Sequence, residues 1–217
     1  MNMERILKGM TDTMNSVKPP RMTALRELHE AETGNFSILI GTILSARTKD
    51  EATAKAVKEL FSKYKTPKAL AKAKVKDIEK IIKSIGFFHV KSKRIIEVAK
   101  IIDSKYKGLV PDTLEKLVEL PGVGRKTANC VLVYAFEKPA IPVDIHVHRI
   151  SNRLGLVDTK SPEDTEQALM KKIPKNFWIN INDTFVMYGQ NICKPISPMC
   201  DVCKIKRNCK YYKLSNS

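Results

Sequence analysis

The sequence predicts an all-α protein. Apolar residues recur at helical spacing along most of the chain, and no stretch alternates apolar and polar residues for more than a few positions. Proline and glycine interrupt this pattern where helices should begin and end, as at Thr66-Pro67, Gly86 and Gly108. At 217 residues the chain can bury a substantial core, in one large domain or two small ones.

The first half of the chain should contain six helices. They are expected over residues 22–31, 36–45, the charged segment after Thr48, a short segment from Thr66-Pro67, Val75 to Ile85, and 90–106. Asn35 is a candidate cap for the second helix, whose sequence FSILIGTILS is apolar on every side and therefore predicts a central core helix. The lysines between Lys63 and Lys93 are expected on solvated helix faces.

The most informative segment is LPGVGRKTA at 120–128, which follows a short helix predicted over 113–119. Gly122 can adopt a positive φ, and Gly124 has no side chain to hold a ligand away from the backbone. A second helix then begins, and its first unpaired N–H groups can meet an anion, with Lys126 in the first turn. Two helices joined by such a turn form a helix-hairpin-helix, which binds a DNA phosphate without reading bases.

The charge balance favours the same partner. The chain has 39 Lys and Arg against 23 Asp and Glu, a net charge of +16, which suits nucleic acid better than a lysine-rich surface without a partner. The N-terminal segment MNMERILKGMTDTMNSV lacks the apolar core of a signal peptide, and the longest near-apolar run, 36–46, is too short to span a bilayer. We therefore expect an intracellular protein, in the cytoplasm or nucleoid, without a membrane partner.

Four of the five cysteines lie close together near the C-terminus, at Cys193, Cys200, Cys203 and Cys209, in the spacing C-x6-C-x2-C-x5-C. A zinc ribbon normally has two close pairs, whereas this array has one pair with longer arms on both sides. The spacing predicts a metal site and favours an iron-sulfur cluster, with zinc left open. The fifth cysteine, Cys130, is expected to be a buried apolar residue.

Three motifs, taken together, resemble endonuclease III, a DNA glycosylase of the helix-hairpin-helix superfamily. They are LPGVGRKTAN at 120–129, VDIHVHRISNR at 143–153 and the terminal cysteine array, and LSARTKD at 44–50 and SIGFFHVKSKRI at 84–95 extend the resemblance over nearly the whole chain. The resemblance implies that Lys126 is a Schiff-base lysine and that Asp144 is an essential carboxylate. It also implies that the four cysteines bind a [4Fe-4S] cluster.

The chemistry of both residues is compatible with these roles. A neutral Lys126 amine can attack the sugar C1′, expel the base and hold the sugar as an iminium, after which elimination cuts the strand on the 3′ side. Asp144 can cap the next helix and also stabilise positive charge at C1′. The simpler alternatives are a lysine that only contacts phosphate and an aspartate that only caps.

Two positions depart from the bacterial members of the family. Arg47 stands where a glutamine typically fills the gap left by the flipped base, and Phe87 stands where a leucine wedge is usual. Base extrusion still needs such side chains, so these two residues should influence lesion and opposite-base preference. The residues expected to contact DNA are Gly122, Gly124, Arg125, Arg47, Phe87 and His146, the last because it resembles a family position near the site.

The resemblance implies two helical lobes with DNA between them. Residues 28–138 would form a continuous lobe with the hairpin, and 1–27 plus 139–217 would form the second lobe with the cluster. The expected function is base excision repair by a monomeric, bifunctional DNA glycosylase with AP-lyase activity, acting on oxidised pyrimidines in double-stranded DNA. Two alternatives stay open: a monofunctional mismatch glycosylase, and a non-catalytic DNA-binding iron-sulfur protein.

Overall fold

The computed structural model describes residues 2–17 and 22–215, and within these ranges it contains helices and no β-strand. The α-helices are α1 Met3–Val17, α2 Ala24–Glu30, α3 Asn35–Ser45, α4 Asp50–Lys63, α5 Pro67–Ala71, α6 Val75–Ile81, α7 Phe88–Ser104, α8 Leu114–Val118, α9 Arg125–Phe136, α10 Ile145–Leu154, α11 Pro162–Lys172, α12 Trp178–Asn191 and α13 Lys210–Ser215. The all-α prediction is confirmed. No helix in the described ranges combines the length and the apolarity needed to cross a bilayer.

The chain divides into two compact units. One is Thr23–Lys138, which contains α2 to α9. The other is the described part of Met1–Met22 together with that of Pro139–Ser217, and it contains α1 and α10 to α13. The division falls before α2 and not within it at residue 28, because α2 packs on α3, α4 and α9.

Helix α3 lies at the centre of the Thr23–Lys138 unit. Its residues 37–44 are all buried, and α2, α4, α7 and α9 pack around it. A helix that is apolar on every side can satisfy all of its faces only in this position. The central placement predicted for this segment is therefore confirmed.

Three of the predicted helix ends are informative, of which one is correct and two are wrong. Thr66 caps α5 as expected, since its hydroxyl accepts the N–H of Ala69 at 3.2 Å. Asn35 is not a cap: Gly34, at φ 87°, is the N-cap of α3 and makes no side-chain hydrogen bond, so the helix begins one residue earlier. Helix α6 ends at Ile81, before the predicted Ile85, and turns over 82–86 lead into α7.

The second unit is built on α12. Helices α1 and α10 pack against α12, and α11 and α13 pack on α10. Buried apolar side chains such as Met10, Ile150 and Phe185 form its core. The hydroxyl of Thr13 in α1 accepts the backbone N–H of Lys204 at 3.1 Å, which ties the cysteine-rich segment to the first helix.

Candidate active site

The turn between α8 and α9 is fixed by apolar residues and exposes its glycines. Leu120 and Val123 are buried, and the N–H of Val123 donates to the carbonyl of Leu120 at 3.0 Å. Gly122 and Gly124 are exposed, and Gly122 has a φ of 74°, which L side chains rarely adopt. The predicted helix-hairpin-helix is therefore present, with its glycine backbone facing outward.

The two glycines are needed for different reasons. A Cβ added at Gly122 would overlap the Cδ and Nε atoms of Arg94 from α7, so the Arg94 side chain would have to move, and the positive φ disfavours any side chain there. A Cβ added at Gly124 would have no heavy atom within 4 Å, apart from its chain neighbours. The backbone at Gly124 is thus open to an incoming ligand.

Helix α9 begins directly at this open backbone. Gly124 is its N-cap and supplies no side-chain hydrogen bond, while its carbonyl accepts the N–H of Ala128 at 2.9 Å. Arg125 is exposed and Lys126 is half-buried, and they are the first two residues of the helix. An anion at this helix end would meet backbone N–H groups and the positive end of the helix dipole.

Asp144, in the other unit, caps α10. Its Oδ1 accepts the backbone N–H groups of His146 and Val147, both at 2.9 Å, which confirms the predicted capping role. Its Oδ2 has no hydrogen-bond partner among the residues that the structure describes. The carboxylate is therefore held in place through one oxygen, and the other is available.

The Arg149 side chain is hydrogen-bonded within the unit that contains Asp144. Its Nη2 contacts His146 Nδ1 at 3.1 Å and donates to the carbonyls of Gly189 and Cys193, at 3.1 and 2.9 Å. Burial lowers the pKa of Arg149 from its usual value. The Arg149 guanidinium therefore binds backbone carbonyls in the last turn of α12 and just after it.

The four clustered cysteines line a single cavity. Cys193, Cys200, Cys203 and Cys209 are free thiols around a space otherwise lined largely by apolar side chains such as Leu154, Ile192 and Met199. Burial raises the pKa of the Cys200 and Cys209 thiols, so thiolates there would need compensating positive charge. Within residues 2–17 and 22–215, no group of three or more His, Cys, Asp or Glu side chains is arranged to hold a metal ion in this structure.

Two polar side chains donate to sulfurs at the edge of this cavity. Arg153 Nη1 lies 3.4 Å from Cys193 Sγ, and the hydroxyl of Tyr188 lies 2.9 Å from Cys203 Sγ. Arg153 also donates to the carbonyls of Lys194 and Pro195, at 2.7 and 2.8 Å. Hydrogen bonds of this kind are typical around thiolate ligands, so the donor set fits a sulfur-bound group.

Arg47 and Phe87 lie side by side in the Thr23–Lys138 unit. The Arg47 Cζ is 5.8 Å from the centroid of the Phe87 ring, which is within the range of a cation–π interaction. Arg47 is exposed and Phe87 is 63% exposed. Gly86 permits this approach, since an added Cβ would lie 2.7 Å from the Arg47 carbonyl oxygen.

Lys91, a residue beside this pair, differs from its sequence-based prediction. Lys91 was expected on a solvated helix face, but its side chain is only 4% exposed. The signal was available in the helical period, because Lys91 occupies the same face of α7 as the buried residues Ile95, Val98 and Ile102. Its ammonium contacts the loop that carries Arg47.

Comparison with known proteins places these features in a family. Residues 40–175 match the model of the HhH-GPD superfamily of base excision DNA repair proteins. The chain is 53% identical over 182 residues to endonuclease III of Thermotoga maritima, an alignment that covers 84% of this chain and 85% of that protein.

Two solved structures of endonuclease III bound to DNA are similar along the whole chain. A trapped covalent intermediate aligns with a TM-score of 0.83 and 33% identity, covering 100% of both chains. A non-covalent complex aligns with a TM-score of 0.84 and 33% identity, covering 100% of this chain and 99% of that one. The chain therefore belongs to the HhH-GPD superfamily of base excision DNA repair proteins and, within it, to the endonuclease III family.

Proposed function

We propose that the chain acts on oxidised pyrimidines with Lys126 as its nucleophile and Asp144 as its essential carboxylate. As a member of the endonuclease III family it is a base excision repair DNA glycosylase and AP lyase. The observation that carries the assignment of Lys126 is its position in the first turn of α9, directly after the exposed backbone of Gly122 and Gly124. A phosphate bound at that backbone would bring a deoxyribose within reach of the amine.

The hairpin supplies binding that does not depend on base sequence. Gly124 adds no side chain between the backbone and a ligand, and a net charge of +16 supports attraction to the duplex. Arg125, which is exposed at the start of α9, is proposed to add a contact to phosphate. Because such binding releases counterions, the affinity should fall steeply as the salt concentration rises.

The proposed reaction proceeds in four steps: displacement of the base, ring opening, elimination and hydrolysis. The neutral Lys126 Nζ attacks C1′ and forms a C–N bond while the glycosidic bond breaks and the base leaves with a proton. The sugar ring opens to a protonated Schiff base, an electron sink that makes the 2′ proton removable. Loss of that proton expels the 3′ phosphate, and water then hydrolyses the Schiff base to return the lysine.

Asp144 has the arrangement that a charge-stabilising carboxylate needs. Its Oδ1 is fixed by two backbone N–H groups at the start of α10, so the group has little freedom to turn. Its Oδ2 accepts no hydrogen bond from any residue that the structure describes, and it can interact with positive charge developing at C1′. His146, which follows on the same helix, stays a predicted DNA contact.

A [4Fe-4S] cluster is the group proposed for the cysteine cavity, with Cys193, Cys200, Cys203 and Cys209 as its ligands. The all-sulfur donor set, the apolar walls and the hydrogen bonds from Arg153 and Tyr188 support this proposal. The bound cluster would supply positively charged iron to the thiolates and cross-link the C-terminal segment, and base excision requires no redox turnover. We also expect the enzyme to act inside the cell as a monomer on double-stranded DNA that contains damaged or abasic sites.

Borohydride trapping on a duplex with an abasic site tests the central assignment. The intact protein should form a covalent adduct, whereas Lys126→Ala should form none and Lys100→Ala, an exposed lysine of α7, should form as much as the parent. An undiminished adduct with Lys126→Ala would overturn the lysine assignment. Base release without an adduct or a nick at neutral pH would favour the monofunctional mismatch glycosylase, and a panel of lesion-bearing duplexes identifies the substrate.

A further inference from the structure

Lys91 is a buried cation that holds the end of one helix. Its Nζ donates to the carbonyls of Leu44 and Ala46, at 2.8 and 2.5 Å, and to the hydroxyl of Thr48 at 3.1 Å. An ammonium has three protons and no acceptor, so these contacts use its full donor capacity. Leu44 and Ala46 lie at the C-terminal end of α3, where carbonyls have no partner within the helix and positive charge is favoured.

Lys91 contacts the residues on both sides of Arg47 in the sequence. Arg47 lies between Ala46 and Thr48, both of which accept from the ammonium. The Thr48 hydroxyl also accepts the backbone N–H of Gly86 at 3.2 Å, which ties the same loop to the residue before Phe87. Lys91 itself lies in the first turn of α7, directly after Phe87. The buried Lys91 side chain therefore links the loop that carries Arg47 to the start of α7, next to Phe87.

Burial and a neighbouring positive charge disfavour the charged form of Lys91. Among the described residues no carboxylate pairs with its ammonium, and the charged group that acts on it is another cation, Arg94, one turn further along α7. Burial, followed by the repulsion from Arg94, lowers the pKa of Lys91 to about 8. A buried charge without a counter-ion depends on its hydrogen bonds for stabilisation, and here they go to the loop that carries Arg47.

We propose that Lys91 is a positioning residue for base extrusion, which holds Arg47 and Phe87 together so that they enter the DNA as one unit. The proposal rests on the DNA role proposed for this pair. Both residues have a positive φ, a conformation that persists only when the surrounding contacts enforce it. The bonds from Lys91 and Thr48 supply that enforcement on both sides of Arg47.

A double-mutant cycle in the full-length, metal-loaded protein tests the proposal. Lys91→Met keeps the length of the side chain and removes its donors, and it is made both in the parent and in Arg47→Ala/Phe87→Ala. Two readouts are followed at saturating protein and below the melting temperature of every variant: single-turnover base release from a lesion-bearing duplex, and fluorescence of 2-aminopurine placed opposite an uncleavable abasic analogue. Lys100→Met is the matched control on the same helix.

In the parent, Lys91→Met should slow base release on the order of 10-fold or more and reduce the 2-aminopurine signal, since small misplacements are costly to catalysis. In the Arg47→Ala/Phe87→Ala background the same change should have an effect of less than about twofold. Binding to undamaged duplex through the hairpin should be unchanged. Thr48→Val, which removes one acceptor and leaves the ammonium in place, should show the same pattern in weaker form if Lys91→Met proves unstable.

Two results would overturn the proposal. If Lys91→Met changed base release and fluorescence equally in both backgrounds, Lys91 would act through the stability of the protein and not through Arg47 and Phe87. Parental rates and fluorescence in Arg47→Ala/Phe87→Ala would remove the DNA role of the pair, and with it the role of Lys91. Borohydride trapping is independent of both outcomes, so a retained adduct that is lost in Lys126→Ala leaves the proposed catalytic function standing.

Discussion

Arg47 and Phe87 both have left-handed backbone conformations, with φ of 55° and 59°, and the guanidinium carbon of the first lies 5.8 Å from the ring centroid of the second. Such a conformation is uncommon for any residue other than glycine, and for a bulky side chain it is an outlier. Two such residues in contact, with the aromatic ring 63% exposed, fit the DNA-contacting role proposed for this pair.

Phe87→Gly should be more stable than Phe87→Ala. Both variants lose the ring and its contact with Arg47, but only glycine adopts a positive φ without strain. The difference in the free energy of unfolding should be about 1 kcal/mol. Base release should fall to a similar extent in both variants, because the ring is absent from each. Urea denaturation and single-turnover assays measure the two effects, and equal stabilities would show that position 87 is not strained.

The two glycines of the hairpin should differ in how alanine affects the stability of the protein. Gly122→Ala should lower the free energy of unfolding by at least about 1 kcal/mol, since the added methyl overlaps Arg94 and the φ of 74° is unfavourable for alanine. Adding Arg94→Ala should relieve the overlap but not the backbone strain. Gly122→Ala should therefore recover only part of its stability in that background.

Gly124→Ala should leave stability within about 0.5 kcal/mol of the parent, because a poorer N-cap is offset by a less flexible unfolded chain. Its added methyl points into open space, where the phosphate is proposed to bind. Affinity for duplex DNA should therefore fall without loss of fold. Unchanged affinity, measured by fluorescence anisotropy at fixed salt, would argue against a phosphate at this backbone.

Local features of the site could be predicted from the sequence, and long-range ones could not. The turn at Gly122 and the cap at Asp144 each depend on residues within four positions of one another, so both features can be predicted from the local sequence. The contact between Arg47 and Phe87 depends on how α3 and α7 pack, and no local pattern encodes it. Lys91 illustrates a third case, in which the helical period was informative but residue type alone suggested a solvated surface.

The same distinction explains the errors in helix boundaries. Asn35 has the chemistry of a cap, but Gly34, with its positive φ, ends the preceding turn and takes that place. The apolar residues after Ile81 continue a helical pattern, and they are buried in a series of turns instead. Ile82 and Ile85 are both buried, so burial there does not require the helix to continue.

Asn and Ala at position 144 should separate capping from catalysis. Asp144→Asn keeps an oxygen that can accept the N–H groups of His146 and Val147, so stability should stay close to that of the parent. Asp144→Ala removes the cap and should cost about 1 kcal/mol. Both should lose most base release, because neither carries a negative charge at C1′. Substantial base release by Asp144→Asn would limit the residue to a structural role.

The stability of the protein should depend on pH through Lys91. Its folded pKa of about 8 lies below its ordinary value of 10.5, so the unfolded chain binds the proton more tightly. Between these two values the unfolded state carries more protons, and the contribution of Lys91 to stability therefore increases as the pH rises, by up to about 3 kcal/mol. Below pH 8 the full cost of the buried charge is present.

Comparison with Lys91→Met isolates this contribution from other titrating lysines and tyrosines. The free energy of unfolding of the parent minus that of the variant should increase from pH 7.5 to pH 10, as measured by urea denaturation in matched buffers. The repulsion from Arg94 predicts that Arg94→Ala shifts the rise to higher pH. A difference that is flat across this range would mean that Lys91 is not perturbed by its surroundings.

The cysteines should differ sharply in their response to substitution. Cys203→Ser removes a proposed ligand whose sulfur accepts from Tyr188, and it should abolish the visible iron-sulfur absorbance and leave the segment 193–209 open to protease. Cys130→Ala is the matched control, since Cys130 is fully buried in α9, in the other unit. It should retain the absorbance and the iron content, with at most a modest loss of stability from the smaller side chain. Bound zinc in place of iron in the parent would preserve the ligand assignment and exclude the cluster, because the four thiols would then serve a single ion.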